Sequence, residues 1–315
     1  MKRSIVRIAI FTTLLALLAP GQATFAQKLF KYRDANGVWV YTDRQPNSDQ
    51  QYEETQLERT FEPAEVRLYQ RAVAEGIALF AQNTYFAPVQ IAFQLTQTDN
   101  VAERAPRNGL LTLPPRSETE LMVVGKQNAA AAMGLESEFQ FLPGDPEAQH
   151  APGQPYRLPF ALASSFPVSQ AFPDTITHGD PSSQHAVDFV MPTGTPIYAA
   201  RAGIVIEVAR EFFDAGVDPS VDGPRANVVR VLHDDGTMSL YAHLSWNSIR
   251  VVPGERVARG QYLADSGNTG FSTGPHLHFV VQRNRGGAIV SLPVEFAGAA
   301  GGAVTVHSGD RLTAY

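Results

Sequence analysis

The chain has 315 residues, a length that allows about two domains, and 44% of them are hydrophobic. Its formal net charge of −6 at pH 7 argues against nucleic-acid binding, which needs a concentration of basic side chains. It contains no cysteine, so disulfides are excluded and any metal site must use His, Asp and Glu ligands.

Residues 1–26 have the pattern of a secretory signal peptide. Lys2, Arg3 and Arg7 are basic, and an apolar run over residues 8–18 follows them. The run is too short for a membrane span, and small residues lead up to Ala26 at the usual cleavage position. We therefore expect a periplasmic or secreted protein, cleaved near Ala26. No later segment of the sequence is apolar for long enough to cross a bilayer.

Residues 27–50 are predicted to form a β-hairpin module. Asn36-Gly37, a strong hairpin-turn signal, separates two runs that are rich in aromatic residues. The stretch also resembles a small uncharacterised module at the N-terminus of many exported proteobacterial proteins, with a Lys-Tyr-x-Asp-x-x-Gly start and a Tyr-Thr-Asp-x-x-Pro end. Its aromatic side chains either bind glycan or, as we favour, form the core of the module.

The composition and the hydrophobic pattern of the chain change twice between residues 51 and 156. Residues 51–75 are polar with a weak helical rhythm, which predicts a linker with helical character. Residues 76–145 consist of short alternating runs separated by Pro, Asn and Gly, the pattern of a small β-sandwich-like domain. They carry no catalytic constellation. Residues 142–156, rich in Pro, Gly and Gln, mark a boundary.

From residue 157 to residue 296 the pattern is again β. Asp235-Gly236 closes a predicted hairpin, and a long irregular insertion lies between Arg210 and Arg225. Long loops of this kind are often functional. Residues 297–315 are rich in Gly and Ala at their start, which predicts a loose C-terminal tail.

Histidines cluster in this part of the chain, where six of the eight fall between residues 178 and 278. His276 and His278 lie on a β-prone run, so strand alternation points both to one face and Leu277 and Phe279 to the other. Two imidazoles side by side, with an apolar opposite face, suit a divalent metal better than a packed core.

Four motifs carry a family resemblance, and they are Val187-Asp188-Phe189-Val190-Met191-Pro192, Tyr241-Ala242-His243-Leu244, Gly254-x-x-Val257-x-x-Gly260-Gln261 and Gly267-Asn268-Thr269-Gly270-x-Ser272-Thr273-Gly274-Pro275-His276-Leu277-His278. In residue type and order they resemble the lysostaphin/LytM-type peptidoglycan metalloendopeptidases, the M23 family. The resemblance covers roughly residues 170–295. It implies an all-β chain whose peptidase domain, residues 157–296, is a LytM-type antiparallel β-sheet.

The resemblance also implies one zinc ion per chain, held by a His, an Asp and the second His of His-x-His. Asp188 and His278 match two of these positions. The commonest pattern has a His four residues before the Asp, but residue 184 is Gln. His178 and His185 are the candidates for the third ligand. On a strand, His185 would point away from the face of Asp188, so we favour His178 and leave His185 as the alternative.

Two imidazoles and a carboxylate suit zinc and leave one position for a water molecule, whose pKa the ion lowers. By the resemblance, His243 and His276 position that water, accept its proton and stabilise the oxyanion. The sequence does not distinguish which of the two is the base. Tyr241, Asn268 and Thr269 are expected to line the substrate cleft.

The resulting hypothesis is a zinc-dependent endopeptidase that hydrolyses peptide cross-links of peptidoglycan through a metal-activated water. The bond could be D-alanyl–diaminopimelate, which we favour, or lie in a glycine bridge or a protein. Two alternatives are a non-catalytic relative that regulates a wall amidase and a wall-binding module. Residues 27–145 are a possible site for wall-associated protein partners.

Overall fold

The computed structural model describes residues 2–6, 27–34, 37, 39–42, 45–46, 50–57, 63–103, 105–174 and 176–315. The apolar run of residues 8–18 and the cleavage position near Ala26 lie outside the described residues. The signal peptide therefore stays a prediction, and its described part, Lys2–Val6, is a strand. Within the described ranges, no helix has both the length and the apolar character needed to cross a membrane.

The described chain is almost entirely β, which confirms the predicted fold class. The strands of its N-terminal part are β1 (Lys2–Val6), β2 (Gln27–Arg33), β3 (Trp39–Thr42), β4 (Tyr52–Leu57), β5 (Val66–Val73), β6 (Gly76–Asn83), β7 (Val89–Asp99), β8 (Asn108–Leu113), β9 (Ser117–Gly125) and β10 (Gly134–Pro143). The strands of its C-terminal part are β11 (Ser165–Gln170), β12 (Val187–Val190), β13 (Pro196–Tyr198), β14 (Gly203–Ala209), β15 (Ala215–Gly216), β16 (Val228–Leu232), β17 (Met238–Ala242), β18 (Arg256–Val257), β19 (Tyr262–Asp265), β20 (Gly270–Phe271), β21 (His276–Asn284), β22 (Ile289–Leu292), β23 (Phe296–Ala297), β24 (Ala303–Val304) and β25 (Arg311–Thr313). The helical segments are α1 (Pro219–Asp222) and the 3₁₀ turns Gly223–Arg225 and Ala299–Gly301.

The chain forms two compact units. The first contains residues 64–148 and 283–289 together with β1, and its sheets have the strand orders β1-β10-β7-β8 and β5-β6-β9. Side chains in β7 alternate as a half-buried strand requires, since Ile91 and Phe93 are buried whereas Gln94 is exposed. Alternation of this kind is the pattern from which the sequence predicts a sandwich-like domain.

The structure corrects the prediction for residues 51–75. They were expected to form a linker with helical character, but they contain β4 and β5. Strand β4 joins the N-terminal hairpin in a sheet of order β3-β2-β4, so the module has a third strand. In β5, Val66 and Leu68 are buried at a spacing of two residues, which is the strand period and not the helical one.

The second unit contains residues 149–282 and 290–315, together with the described residues of 22–63. Its main feature is a nine-stranded sheet of order β18-β14-β16-β17-β21-β12-β11-β25, in which β22 also pairs with β21. The ladders from β14 to β12 are antiparallel. Phe160, Phe189 and Phe279 are fully buried and pack on one face of this sheet.

The C-terminal tail is also corrected, because residues 297–315 are not loose. Strand β25 pairs with β11, and the side chains of Val306 and Ala314 are buried in the core. The insertion after Arg210 is ordered as well, since β15 pairs in parallel with β20. The tail therefore extends the large sheet beyond β11, and the insertion pairs with the short strand that precedes β21.

Candidate metal centre

Two neighbouring strands place an acid and two imidazoles on one face of the large sheet. Strands β12 and β21 are antiparallel, and Asp188 lies directly opposite His278. His276 is two positions from His278 and faces the same side, because successive side chains of a strand alternate. Leu277 and Phe279 point the other way into the core.

His178 reaches the same place from the loop between β11 and β12. Its Nε2 lies 3.1 Å from Oδ2 of Asp188, and its side chain is buried. Gln170, the last residue of β11, anchors the loop by donating Nε2–H to Oγ1 of Thr177 and by accepting from the Thr177 N–H. The position of His178 is therefore fixed by the residue before it.

One donor atom from each of His178, Asp188 and His278 lies within 4.8 Å of the other two. Nδ1 of His278 is 2.9 Å from Oδ1 of Asp188. Burial alone would raise the pKa of Asp188, but hydrogen bonds from both imidazoles outweigh it and hold that pKa well below its usual range. Asp188 is therefore ionised, which is the form that ligates a cation.

His185 lies elsewhere. Its ring stacks on Phe172 with centroids 4.7 Å apart, and its Nδ1 is 3.2 Å from Oγ of Ser291. Burial lowers the pKa of His185, which favours a neutral ring in this packed position. The structure thus brings His178, and not His185, to Asp188.

His243 and His276 lie beside this trio, with ring centroids 4.5 Å apart and the His243 centroid 5.8 Å from that of His278. Nδ1 of His243 is 2.7 Å from the carbonyl oxygen of Thr269, and Nδ1 of His276 is 2.8 Å from that of Gly274. A carbonyl only accepts, so each Nδ1 carries the proton. In the neutral rings, both Nε2 atoms are left as acceptors.

His243 is half-buried and has an unusual backbone conformation. Burial, reinforced by the neighbouring His276 and His278, lowers the pKa of His243 to about 3, so its ring is neutral near pH 7. Its φ is +61°, a left-handed value that residues other than glycine rarely adopt. Strand β17 ends at Ala242, and this backbone turn directs the ring of His243 to the site.

The structure does not bring Tyr241 to the predicted cleft. Its side chain is completely buried, and its hydroxyl accepts a hydrogen bond from the Ala200 N–H. Strand alternation placed Tyr241 on the face of His243, but alternation fails where the left-handed backbone of His243 ends the strand. We therefore leave Tyr241 out of the cleft.

Asn268 and Thr269, also predicted for the cleft, make contacts within the protein. Oδ1 of Asn268 accepts a hydrogen bond from Oγ of Ser272. Thr269 is buried, its carbonyl accepts from His243, and its hydroxyl donates to the carbonyl of Leu244. These contacts give Thr269 a part in positioning His243.

Sequence reasoning missed Asn227, which joins the segments around His243. The side chain is completely buried and donates to the carbonyls of Phe212 and Leu244. Its Oδ1 accepts from the Phe212 N–H, and its own N–H donates to Oγ1 of Thr269. A single Asn before an apolar run carries no sequence signal for this role.

The insertion forms the other border of this region. Phe213 is half-buried and packs its ring on Trp246 with centroids 4.5 Å apart. The guanidinium of Arg225 lies over the ring of Phe212, with Cζ 5.3 Å from the ring centroid. Trp246 is 38% exposed and follows His243 by three residues, so this aromatic pair reaches the surface.

The donor set formed by His178, Asp188 and His278 fits zinc. Imidazole nitrogen and carboxylate oxygen are common zinc ligands, and calcium or magnesium would require more oxygen donors. Three protein ligands are also the number found at catalytic zinc sites, where the fourth position stays open.

Comparisons with known protein families match two parts of the chain. Residues 182–290 match the model of peptidase family M23, and this range holds Asp188, His243, His276 and His278. Residues 14–65 match a domain of unknown function, DUF4124. The matched peptidase range begins after His178, so the comparison itself does not cover that residue.

Curated relatives match stretches of about a hundred residues of the chain. Peptidoglycan DD-endopeptidase ShyA of Vibrio cholerae is 41% identical over 95 residues, which are 30% of this chain and 19% of that protein. Glycyl-glycine endopeptidase ALE-1 of Staphylococcus capitis is 36% identical over 98 residues, which are 31% of this chain and 24% of that protein. The chain thus spans a quarter or less of the length of these relatives.

Among solved structures, the catalytic domain of lysostaphin from Staphylococcus simulans is 29% identical, with a TM-score of 0.28. The match covers 39% of this chain and 81% of that domain. The range matched by the family model contains all four motifs. Residues 182–290 are therefore similar in sequence to peptidase family M23.

Proposed function

We propose that this protein is a zinc-dependent endopeptidase that hydrolyses peptide cross-links of peptidoglycan. One observation carries the proposal: His178, Asp188 and His278 converge, with His243 and His276 beside them. Convergence of five such side chains from distant points of the chain has no explanation in packing alone.

In the proposed site, His178, Asp188 and His278 hold the metal. When bound there, zinc supplies Lewis acidity, which lowers the pKa of a water molecule and polarises a carbonyl. Asp188 is ionised and contributes one negative charge, which lowers the net charge of the loaded site. Gln170 and Thr177 keep His178 in place during turnover.

His243 and His276 handle the proton in this proposal. Their Nδ1 atoms are held by backbone carbonyls, so each ring is fixed with Nε2 towards the site. A neutral imidazole accepts a proton at Nε2 and, once protonated, donates a hydrogen bond to a developing oxyanion.

For the bond, we propose the D-alanyl–diaminopimelate cross-link. The DD-endopeptidase of Vibrio cholerae, at 41% identity, supports this choice over a glycine bridge, which the name of the Staphylococcus capitis relative indicates for that enzyme. We propose the periplasm or the cell exterior as the location, with residues 1–26 as the signal peptide and residues 27–145 as a surface for wall-associated partners.

Digestion of purified wall tests the proposal. The zinc-loaded protein is incubated with diaminopimelate-type peptidoglycan. The muropeptides of the soluble and insoluble fractions are then separated by chromatography and identified by mass spectrometry. We expect cross-linked dimers to be converted to monomers by the wild type and not by His278→Ala. His307→Ala, altered at an exposed histidine of the tail, is the matched control and should cleave normally.

Two results would contradict the proposal. If the wild type binds zinc but leaves the dimers intact, the endopeptidase assignment fails. If His278→Ala releases monomers as fast as the wild type, another site does the chemistry. Release of free glycan without dimer cleavage would indicate a regulated amidase in the preparation.

A further inference from the structure

A second site lies away from the metal centre, in a cavity of about 850 Å³. Its lining includes Arg201, Arg256, Arg259, Tyr156, Ile204 and Val257. The cavity meets the β16–β17 hairpin at its turn, where His233 and Asp234 line it. His243 follows the other end of β17, so the five residues of this strand, about 16 Å, separate the cavity from the metal centre.

The cavity is rich in guanidinium groups. Arg201 is paired with Asp234 and Asp235, and its Nη1 lies 2.7 Å from Oδ2 of Asp235. Arg256 and Arg259 are exposed, and neither forms an ion pair with an acid in the described part of the chain. Two of its three arginines are therefore available for a ligand.

A fourth arginine stands close by. The stem and Nε of Arg157 lie beside Gly260, and Arg157 stacks over the ring of Tyr198. Its pKa is lowered by burial and by the positive charge of Arg259. Like charges at this spacing repel each other, and a bound anion would relieve the repulsion.

Local charge is therefore opposite to the charge of the whole chain, which is −6. The lining holds three arginines and one acid, Asp234, and a cleft with an excess of one sign of charge attracts the opposite ion. Guanidinium groups bind carboxylate and phosphate in a forked, two-bond geometry. The volume lies in the range of small-molecule sites, and Ile204 and Val257 offer apolar contacts to the body of a ligand.

We propose that this cavity, the arginine pocket (Arg201, Arg256 and Arg259, with Arg157 beside it), binds an oxyanion of the carboxylate or phosphate type. The source of this anion that we favour is the free carboxylates of wall stem peptides, a choice that rests on the proposed function. Binding there would hold the protein on its polymer at a point remote from the metal centre. A free anion such as phosphate is the other source of the same chemistry.

Calorimetric titration of the full zinc-loaded chain tests this proposal with three probes: a stem tetrapeptide with free carboxylates, the same peptide fully amidated, and inorganic phosphate. The variant is Arg256→Gln/Arg259→Gln, and Arg285→Gln, altered at an exposed arginine outside the pocket, is the matched control. We expect the variant to bind the free-acid peptide about tenfold more weakly or worse, as the loss of charge-assisted hydrogen bonds implies. The control should bind it as the wild type does.

Each outcome has one meaning. Arginine-dependent binding of the free-acid peptide but not of the amide supports wall peptide as the source, and arginine-dependent binding of phosphate alone supports a free anion. Equal binding of the probes by wild type and variant, or no binding of any probe, overturns the proposal. Cleavage of a soluble cross-linked dimer is followed on the same samples and should be unchanged in the variant. Failure of the wild type in that assay would refute the proposed function and leave the binding result intact.

Discussion

His276 and His278 share one face of β21 but use their Nδ1 atoms differently. Nδ1 of His278 points at Asp188, whereas Nδ1 of His276 points at the carbonyl of Gly274. A hydrogen bond to a backbone carbonyl fixes the tautomer and leaves Nε2 to act on a proton. This difference supports a division of work between a metal ligand and a proton carrier.

The first prediction concerns the proton carriers. Replacing His276 by Gln removes a group that accepts a proton but leaves the donors of the metal trio in place. We expect cleavage of wall cross-links to fall about 10²- to 10⁴-fold, while the zinc content stays that of the wild type. Both are measured on one preparation, by muropeptide chromatography and elemental mass spectrometry. Loss of zinc in His276→Gln would instead make His276 a ligand.

The second prediction concerns His233, which is buried between the carbonyl of Ala202, 2.8 Å from Nδ1, and the hydroxyl of Ser239, 2.6 Å from Nε2. Burial lowers the pKa of His233 from 6.5 to about 4. The unfolded chain therefore takes up this proton first as the pH falls. The contribution of His233 to stability is complete above pH 6.5 and is lost towards pH 4, by up to about 3 kcal/mol.

His233→Asn, which keeps a short donor but does not titrate, should weaken this pH dependence. The measurement is the free energy of unfolding in urea at pH 7.5 and pH 5 for both proteins. All other titrating groups are shared, so the difference between the two slopes isolates His233. Parallel curves for wild type and variant would contradict the assignment.

At the scale of residues, the sequence identifies the candidate site residues by their type, and strand alternation predicts the face of the sheet on which each of them lies. Alternation worked for His276 and His278 because both lie within one strand. It failed for Tyr241 because the chain leaves the strand at His243 with a positive φ, which no residue type there indicates. The contacts of Asn227 join segments that are distant along the chain, and no local pattern reveals such contacts.

At the scale of elements, the insertion after Arg210 is tied to the loop that carries His243. Asn227 bonds to Phe212 on one side and to Leu244 on the other. Strand β15 pairs with β20, which follows Thr269. The insertion therefore supports the backbone that holds His243, in addition to bordering the site.

The third prediction follows from this connection. Asn227→Ala removes the side-chain partner of the N–H and the carbonyl of Phe212, at a cost of about 2–4 kcal/mol in stability. We expect kcat for a soluble cross-linked peptide to fall more than tenfold, about the effect of a small displacement of a catalytic group, with the zinc content unchanged. Asn108→Ala, at an exposed position of β8, is the control for the loss of an amide. An unchanged kcat in Asn227→Ala would show that the network does not position His243.

The fourth prediction concerns the C-terminal tail. Ending the chain after residue 302 removes β25 and the buried side chains of Val306 and Ala314, and it uncovers the edge of β11. We expect the free energy of unfolding to fall by about 2–4 kcal/mol, from the apolar burial that is lost. Tyr315→Ala, at an exposed terminal residue, should have no effect. Equal denaturation midpoints for the truncated and full chains would contradict the role of the tail.

At the scale of elements, the two wrong predictions of secondary structure share one cause. Residues 51–75 and 297–315 are polar or rich in small residues, so their own sequences favour a linker and a loose tail. Each gains strand structure by pairing with a partner from elsewhere in the chain, such as β6 for β5 and β11 for β25. Pairing between distant segments overrides local propensity.

At the scale of the whole molecule, the candidate site is confined to the second unit, whereas buried apolar side chains occur in both units. The described histidines of the candidate site all lie in the second unit, and the four motifs follow one another along that unit. Because the motifs are short and ordered, they could be recognised from sequence. The first unit carries buried apolar side chains and no comparable set of donors among its described residues, so its sequence predicts a fold but no reaction.

The most direct test of the account is the zinc content of the purified chain, measured by elemental mass spectrometry after exhaustive dialysis, for the wild type, His178→Ala and His185→Ala. Circular dichroism of each sample checks that the fold is retained. We expect about one zinc per chain for the wild type and for His185→Ala, and far less for His178→Ala. Full zinc in folded His178→Ala, or its loss in His185→Ala, would contradict the metal centre on which the proposed function depends.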